Sequence, residues 1–138
     1  MAMAQQAKPV QASESASAVL RAEQLSRYLF AENWCRDKAV LELGCGQGAG
    51  CKLLASYGAK SIDGLDPSED LVKVAQTEAP ENTRFHHGPY LPLPFEDGVF
   101  DTVIALDLLD RISERELLLD EIGRVLSENG VLIVSISS

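Results

Sequence analysis

VLELGCGQG, running from Val40 to Gly48, is the stretch that decides the fold. Together with Ala39 it gives a short apolar run, Ala39 to Leu43, that ends at Gly44. A run of that length meeting a glycine-rich turn reads as a buried strand. Glycines then recur at Gly44, Gly46, Gly48 and Gly50. Glycine allows a sharp backbone turn and lets a ligand approach the main chain closely. CKLLASYG follows as a short helix ended by Gly58. The first N–H groups of such a helix have no partner within it.

Working outward, Ser61 to Leu65 is a second strand closed by Asp66-Pro67. Ser68 to Ala79 reads as a helix with Glu69 and Asp70 in its first turn, where the helix dipole favours them, and Pro80 as its end. Arg84 to His87 is a weak third strand, and Gly88 to Gly98 is a loop set by three prolines and two glycines. Val99 to Leu106 is a strong fourth strand. Ser113 to Leu126 is predicted as a helix, with Ser113 and Glu116 as a capping box, Ile112 and Leu117 as a hydrophobic staple, and Leu118, Ile122 and Val125 as its apolar stripe. Asn129-Gly130 is expected to end it, and GVLIVSISS is a fifth strand. On the other side, Ser15 to Trp34 is helix-compatible, and Met1 to about Glu14 reads as a flexible tail. The expectation is one α/β domain over 15–138, a doubly wound, mainly parallel five-stranded sheet with helices on both faces. Unbroken strands such as VLIV and TVIAL fit a sheet buried on both sides.

Composition narrows the partners. The chain has 138 residues, the length of one domain. Twenty-one acids against twelve bases give a net charge of −9, which argues against nucleic acid and against anionic membrane surfaces. No apolar run is long enough to span a bilayer. Cys35, Cys45 and Cys51 are odd in number and form no C-x-x-C, so neither a disulfide framework nor a zinc knuckle is indicated. The N-terminus lacks the apolar core of a signal peptide, which makes a reducing cytoplasm the expected compartment.

The chemistry centres on two acids. Asp66 lies 22 residues past Gly44 at the end of the second strand. An acid there accepts hydrogen bonds from ribose hydroxyls, and its other reading is a turn or cap residue before Pro67. Gly44-x-Gly46-x-x-Ala49 formally satisfies the dinucleotide pattern. Glu42, two residues before the first glycine, speaks against it, because a carboxylate repels a pyrophosphate and attracts a sulfonium or an ammonium. S-adenosylmethionine carries both cations and no phosphate.

With those residues in view, VLELGCGQG resembles the first motif of the class I S-adenosylmethionine-dependent methyltransferases, and GLDPS (Gly64 to Ser68) resembles their second. Leu91 to Leu109 resembles their loop and fourth strand, with Phe100-Asp101 in place, and Glu121 to Ser135 resembles the helix leading into the fifth. The resemblance covers about Ala31 to Ser138. It implies sheet order 3-2-1-4-5, with the cofactor across the strand C-termini. It also implies a cofactor set of Glu42, Gly44, Cys45, Gly46, Gly48, Asp66, Pro67, Gly88, Pro89, Tyr90 and Leu106, Tyr90 stacking on or edging the adenine. The methyl acceptor, a small molecule or a protein side chain, is expected beside Asp107 and Asp110, the candidate catalytic acids. Asp101 reads as a structural acid, and Tyr28 and Trp34 as core packing with the site lining as the alternative.

Two departures qualify the resemblance. Pro89 stands where the family commonly has an Asp that accepts from the adenine amino group. Family members normally continue past the fifth strand with a helix and two more strands, whereas this chain stops at Ser138. Val131 to Ser137 is therefore expected at an open sheet edge, available to a homodimer or a partner subunit. These departures keep a second reading open, a methyltransferase-like binding or regulatory subunit without catalysis. A nicotinamide dehydrogenase is the third.

Overall fold

Alternating apolar positions on the strands organise the chain. In a strand, successive side chains leave on opposite faces. Val40, Ile62, Ile104 and Ile133 point to one side, and their neighbours Leu41, Val103 and Leu132 to the other. The computed structural model describes residues 1–5 and 22–135. Its strands are β1 (Ala2–Gln5), β2 (Ala39–Leu43), β3 (Ser61–Asp66), β4 (Thr83–His87), β5 (Phe100–Leu106) and β6 (Leu126–Ser135). Its helices are α1 (Ala22–Ala31), α2 (Ala49–Ser56), α3 (Glu69–Gln76) and α4 (Arg115–Val125).

These strands pair in parallel, in the order β1-β6-β5-β2-β3-β4. The five strands expected from sequence keep their 3-2-1-4-5 order, and β1 adds a sixth at the end. α1, α2 and α3 cover one face, burying Tyr28, Cys51, Leu54 and Val72 against Val40, Ile62 and Ile104. α4 covers the other, setting Leu118, Ile122 and Val125 against Leu41, Val103 and Leu132. The order reverses between β2 and β5. The chain leaves those two strands toward helices on opposite faces, α2 and α4, and at such a reversal ligands bind beyond the strand C-termini.

The structure corrects several expectations. Ala2–Gln5, read as part of a flexible tail, pairs with Val131 to Val134 of β6. The edge expected to stand open for a second chain is therefore taken by the same chain's own first residues. The remainder of that tail, and the start of the predicted Ser15 helix, lie outside the described residues. α3 ends at Gln76, four residues before Pro80, because Thr77 turns extended and its hydroxyl bonds back to the Lys73 carbonyl at 3.3 Å.

α4 begins one residue later than the capping box requires. Its N-cap is Glu114, with no side-chain cap. The short 3-10 turn Leu109–Arg111 and an extended Ile112 deliver the chain into the helix there. With Leu118 facing the core, Leu117 is rotated about 100° away and is 58% exposed, so the staple does not form. The helix also stops before Asn129-Gly130. Leu126 is already extended and pairs with Phe100, and the register then jumps to Thr102 opposite Val131. The intervening residues form a bulge in which Gly130 packs against Leu126, where a Cβ would come within 2.7 Å of the leucine Cδ2.

Candidate functional site

The glycine turn sits at the C-terminal end of β2, beside the reversal point. Gly44, Gly46 and Gly48 all have positive φ (77°, 54° and 87°), which is why these positions demand glycine. Gly48 is doubly constrained, since a Cβ there would lie 2.8 Å from Phe85. Gly46 differs: a Cβ there would meet nothing within 4 Å. The backbone at Gly46 is thus open to an approaching group, while Gly48 is packed.

Asp66 closes one side of this opening. Its Oδ2 accepts from the Gly46 N–H at 2.9 Å and its Oδ1 from the Ser68 N–H at 2.9 Å. The carboxylate therefore ties the end of β3 to the glycine turn and shapes its own turn before α3. Of the two sequence readings of Asp66, these bonds show the turn residue before Pro67. An ionised carboxylate has about four acceptor positions, so two remain for a pair of hydroxyls. Tyr90 closes another side, its hydroxyl 3.3 Å from where a Gly44 Cβ would stand. Burial, then the charge of Asp66, pushes the Tyr90 phenol above its ordinary range.

Glu42 is placed differently from expectation. It is 1% exposed and lies beneath the turn. The Tyr28 hydroxyl donates to its Oε2, and the Cys51 thiol donates to its Oε1 at 3.1 Å. Burial pushes Glu42 up to about 7, against the lowering effect of those two donors. Both oxygens are occupied from the α1 and α2 side, so its expected direct contact with a bound cation is not the geometry found. Gly50 makes this cluster possible: a Cβ there would lie 2.1 Å from the Tyr28 ring. Tyr28 thus reaches the base of the site through Glu42, while Trp34 packs on Phe30, ring centroids 5.2 Å apart.

The candidate catalytic acids separate. Asp107, just past β5, has φ 52° and is ion-paired to Arg27 of α1. The Ser135 hydroxyl donates to its Oδ1 at 3.2 Å and accepts from its N–H at 2.8 Å. Asp110 is exposed in the 3-10 turn that follows. Cys45 is buried beside Gly46, Leu106 and Gly88 are half-buried, and Pro67 and Pro89 are exposed. Asp101 accepts from the Ala39 N–H at 2.9 Å, a structural role, as read from sequence. Arg27 and Ser135 are the residues that sequence reasoning missed. Nothing in the local pattern marks Arg27, whose partner is 80 positions away.

The groups that line the turn therefore offer the Asp66 carboxylate as acceptor, and approachable backbone at Gly46. That set fits a ribose diol. The comparisons agree. A family model described as a methyltransferase domain matches residues 41–134, and the chain belongs to that family. It is 33% identical over 101 residues to a Mycolicibacterium smegmatis protein named "Probable S-adenosylmethionine-dependent methyltransferase", covering 73% of this chain and 38% of that protein. It is 32% identical over 99 residues to the ubiquinone biosynthesis O-methyltransferase of Azorhizobium caulinodans, covering 70% and 39%. The solved structure of Bacillus subtilis YcgJ superposes with a TM-score of 0.70 at 30% identity, over 80% of this chain and 50% of that one. The chain thus spans half or less of the length of each of these proteins. S-adenosylmethionine is the cofactor of this family, and the fold is the Rossmann-like one of class I methyltransferases.

Proposed function

We propose that this chain binds S-adenosylmethionine at the Gly44–Gly48 turn and serves methyl transfer to a small molecule or a protein side chain. The observation that carries the reading is the Asp66 carboxylate, bonded to the Gly46 N–H beside the open face of Gly46. The remaining acceptor positions of Asp66 take the ribose hydroxyls. The bound cofactor supplies an electrophilic methyl on sulfur. Transfer is an in-line displacement, and it depends chiefly on holding the acceptor aligned at the C-terminal end of β5. A base is needed only for an acceptor that must lose a proton. Asp110 is the exposed acid we assign to that task. Asp107, engaged by Arg27 and Ser135, positions α1 against β5 instead.

The engagement of Asp107 also supports the second reading, a cofactor-binding subunit without catalysis of its own. Nucleic acid is disfavoured as acceptor by the net charge of −9. Among the described residues no helix is long and apolar enough to cross a membrane. Cys35, Cys45 and Cys51 are free and buried, in keeping with a reducing cytoplasm.

Calorimetry with S-adenosylmethionine, S-adenosylhomocysteine and NADH tests the proposal. Heat of binding from both adenosyl ligands and none from NADH is expected. Silence from both adenosyl ligands at millimolar concentration, or a response to NADH alone, would overturn it. Methyl transfer to any member of an acceptor panel separates the enzyme from the silent subunit.

A further inference from the structure

Arg27 carries an inference that rests on the reading above and deepens it. Its Nη1 is ion-paired to Asp107, and its side chain is only 10% exposed. Its Nε–H is buried and has no acceptor, a state shared by no other buried side-chain nitrogen or oxygen among the described residues. A buried donor without a partner costs free energy, so native structures rarely keep one. The partner is strained too: Asp107 holds φ 52°, in the left-handed region that non-glycine residues occupy at a cost and that recurs where ligands bind. Tyr28, the next residue of α1, bonds Glu42 at the base of the turn, and Asp107 follows directly on β5. β3, β2 and β5 are neighbours in the sheet, so the ends of β3 and β5, at Asp66 and Asp107, stand roughly 10 Å apart. A ligand held by its ribose at Asp66 and continuing across β2 brings its far end to Arg27.

We propose that Arg27 is the anion-binding residue of the site, gripping a carboxylate carried by a bound molecule through Nε and Nη2 while Asp107 stays on Nη1. A guanidinium is planar, and the N–H groups of Nε and Nη2 lie side by side on one edge, matching the two oxygens of a carboxylate. Asp107 occupies the other branch of the fork, so the two partners do not compete. The pair borders solvent, with 22% of the Asp107 side chain exposed, and a turn of the guanidinium about its stem brings the Nε edge out. The other acids of the site, Asp66 and Asp110, repel a carboxylate; Arg27 is the cation set beside them. An ion pair also suits a zwitterion: an α-amino-acid head lays its carboxylate on Arg27 and its ammonium toward Asp107. Such a carboxylate has two sources, the amino-acid end of the adenosyl ligand and an acidic methyl acceptor.

Calorimetry compares the intact chain with Arg27→Gln and Arg27→Lys, using S-adenosylhomocysteine and methylthioadenosine, which has the same nucleoside and a thioether but no amino-acid end. If the adenosyl ligand is the source, Arg27→Gln weakens S-adenosylhomocysteine by about tenfold or more and leaves methylthioadenosine within about twofold. Arg27→Lys, which keeps the charge and loses the fork, falls between. If an acceptor is the source, both adenosyl ligands bind the variants as they bind the parent, and benzoate added to the chain saturated with S-adenosylhomocysteine raises the melting temperature of the parent alone. Either pattern supports the assignment. Equal weakening of both adenosyl ligands gives Arg27 a structural role and overturns it, as does the absence of any difference from the parent in every arm. If Arg27→Gln does not fold, Arg27→Lys decides by the same comparison. An overturned assignment leaves the cofactor site at Asp66 standing. If the intact chain binds neither adenosyl ligand at millimolar concentration, the site reading itself falls and takes this inference with it.

Discussion

Asp66 illustrates how one side chain can serve structure and ligand together. Its two bonds to backbone N–H groups at 2.9 Å fix the turn, and an ionised carboxylate keeps acceptor capacity beyond them. Asp66→Asn keeps the shape and loses the charge. We expect it to weaken S-adenosylhomocysteine binding by more than tenfold, read by calorimetry, because hydrogen bonds to a charged acceptor are worth about 1.5–3 kcal/mol. An unchanged dissociation constant would contradict the assignment. Gly50 makes a second prediction at this scale. Gly50→Ala forces a methyl to within 2.1 Å of the Tyr28 ring and should dislodge the bond to Glu42. Overpacking of this kind costs about 1–3 kcal/mol, measurable by urea denaturation. Asp66 and the glycines were legible in the sequence because spacing alone defines them. The Tyr28–Glu42–Cys51 cluster was not: its three members come from three elements, and only packing brings them together.

At the scale of elements, the loop between β4 and β5 is held by α4. Arg124 donates to the carbonyls of Leu93 at 3.0 Å and Phe95 at 2.8 Å, and to the Asp97 carboxylate at 2.9 Å. Glu121 orients Arg124 and accepts from the Leu93 N–H at 2.8 Å. This clamp fixes a segment with no ladder hydrogen bonds of its own, one that begins beside Tyr90. Arg124→Ala should make the chain more readily cut within residues 91–98 under limited proteolysis, with α2 and α3 unaffected. Equal cleavage rates would show that the loop is held by its apolar contacts alone. The sequence signalled a loop here through its prolines, yet not its anchor, because the donor and the carbonyls lie about thirty positions apart. β1 was illegible for another reason. AMAQ contains no β-branched or aromatic residue, so only the vacant edge of β6 makes it a strand. α4 was overextended because Ser113 and Glu116 have the right spacing for a cap, while the orientation of Leu118 toward the sheet dictates where the helix begins.

For the whole molecule, the buried acid beneath the turn shapes the response to pH. The Glu42 carboxyl rises from an ordinary 4.5 to about 7 in the folded chain, chiefly through burial. Between those values the folded state keeps a proton that the unfolded state has released. Stability from this group is therefore greatest at low pH, declines as pH rises from about 4.5, and levels off above about 7. The full decline is on the order of 3 kcal/mol. Glu42→Gln should remove it, so urea midpoints of the variant and the parent should diverge progressively between those limits. Parallel curves would place the titration of Glu42 elsewhere. The same cluster joins α1 to β2 through Tyr28, while Arg27, the preceding residue, joins α1 to β5 through Asp107. One helix thus ties together the two strands at which the sheet order reverses.

Determining a crystal structure with S-adenosylhomocysteine tests the central claim most directly. We predict that the ribose hydroxyls lie within hydrogen-bond distance of the Asp66 carboxylate and that the ligand runs along Gly44–Gly48. Density for the ligand away from the turn, with Asp66 bonded only to Gly46 and Ser68, would contradict it.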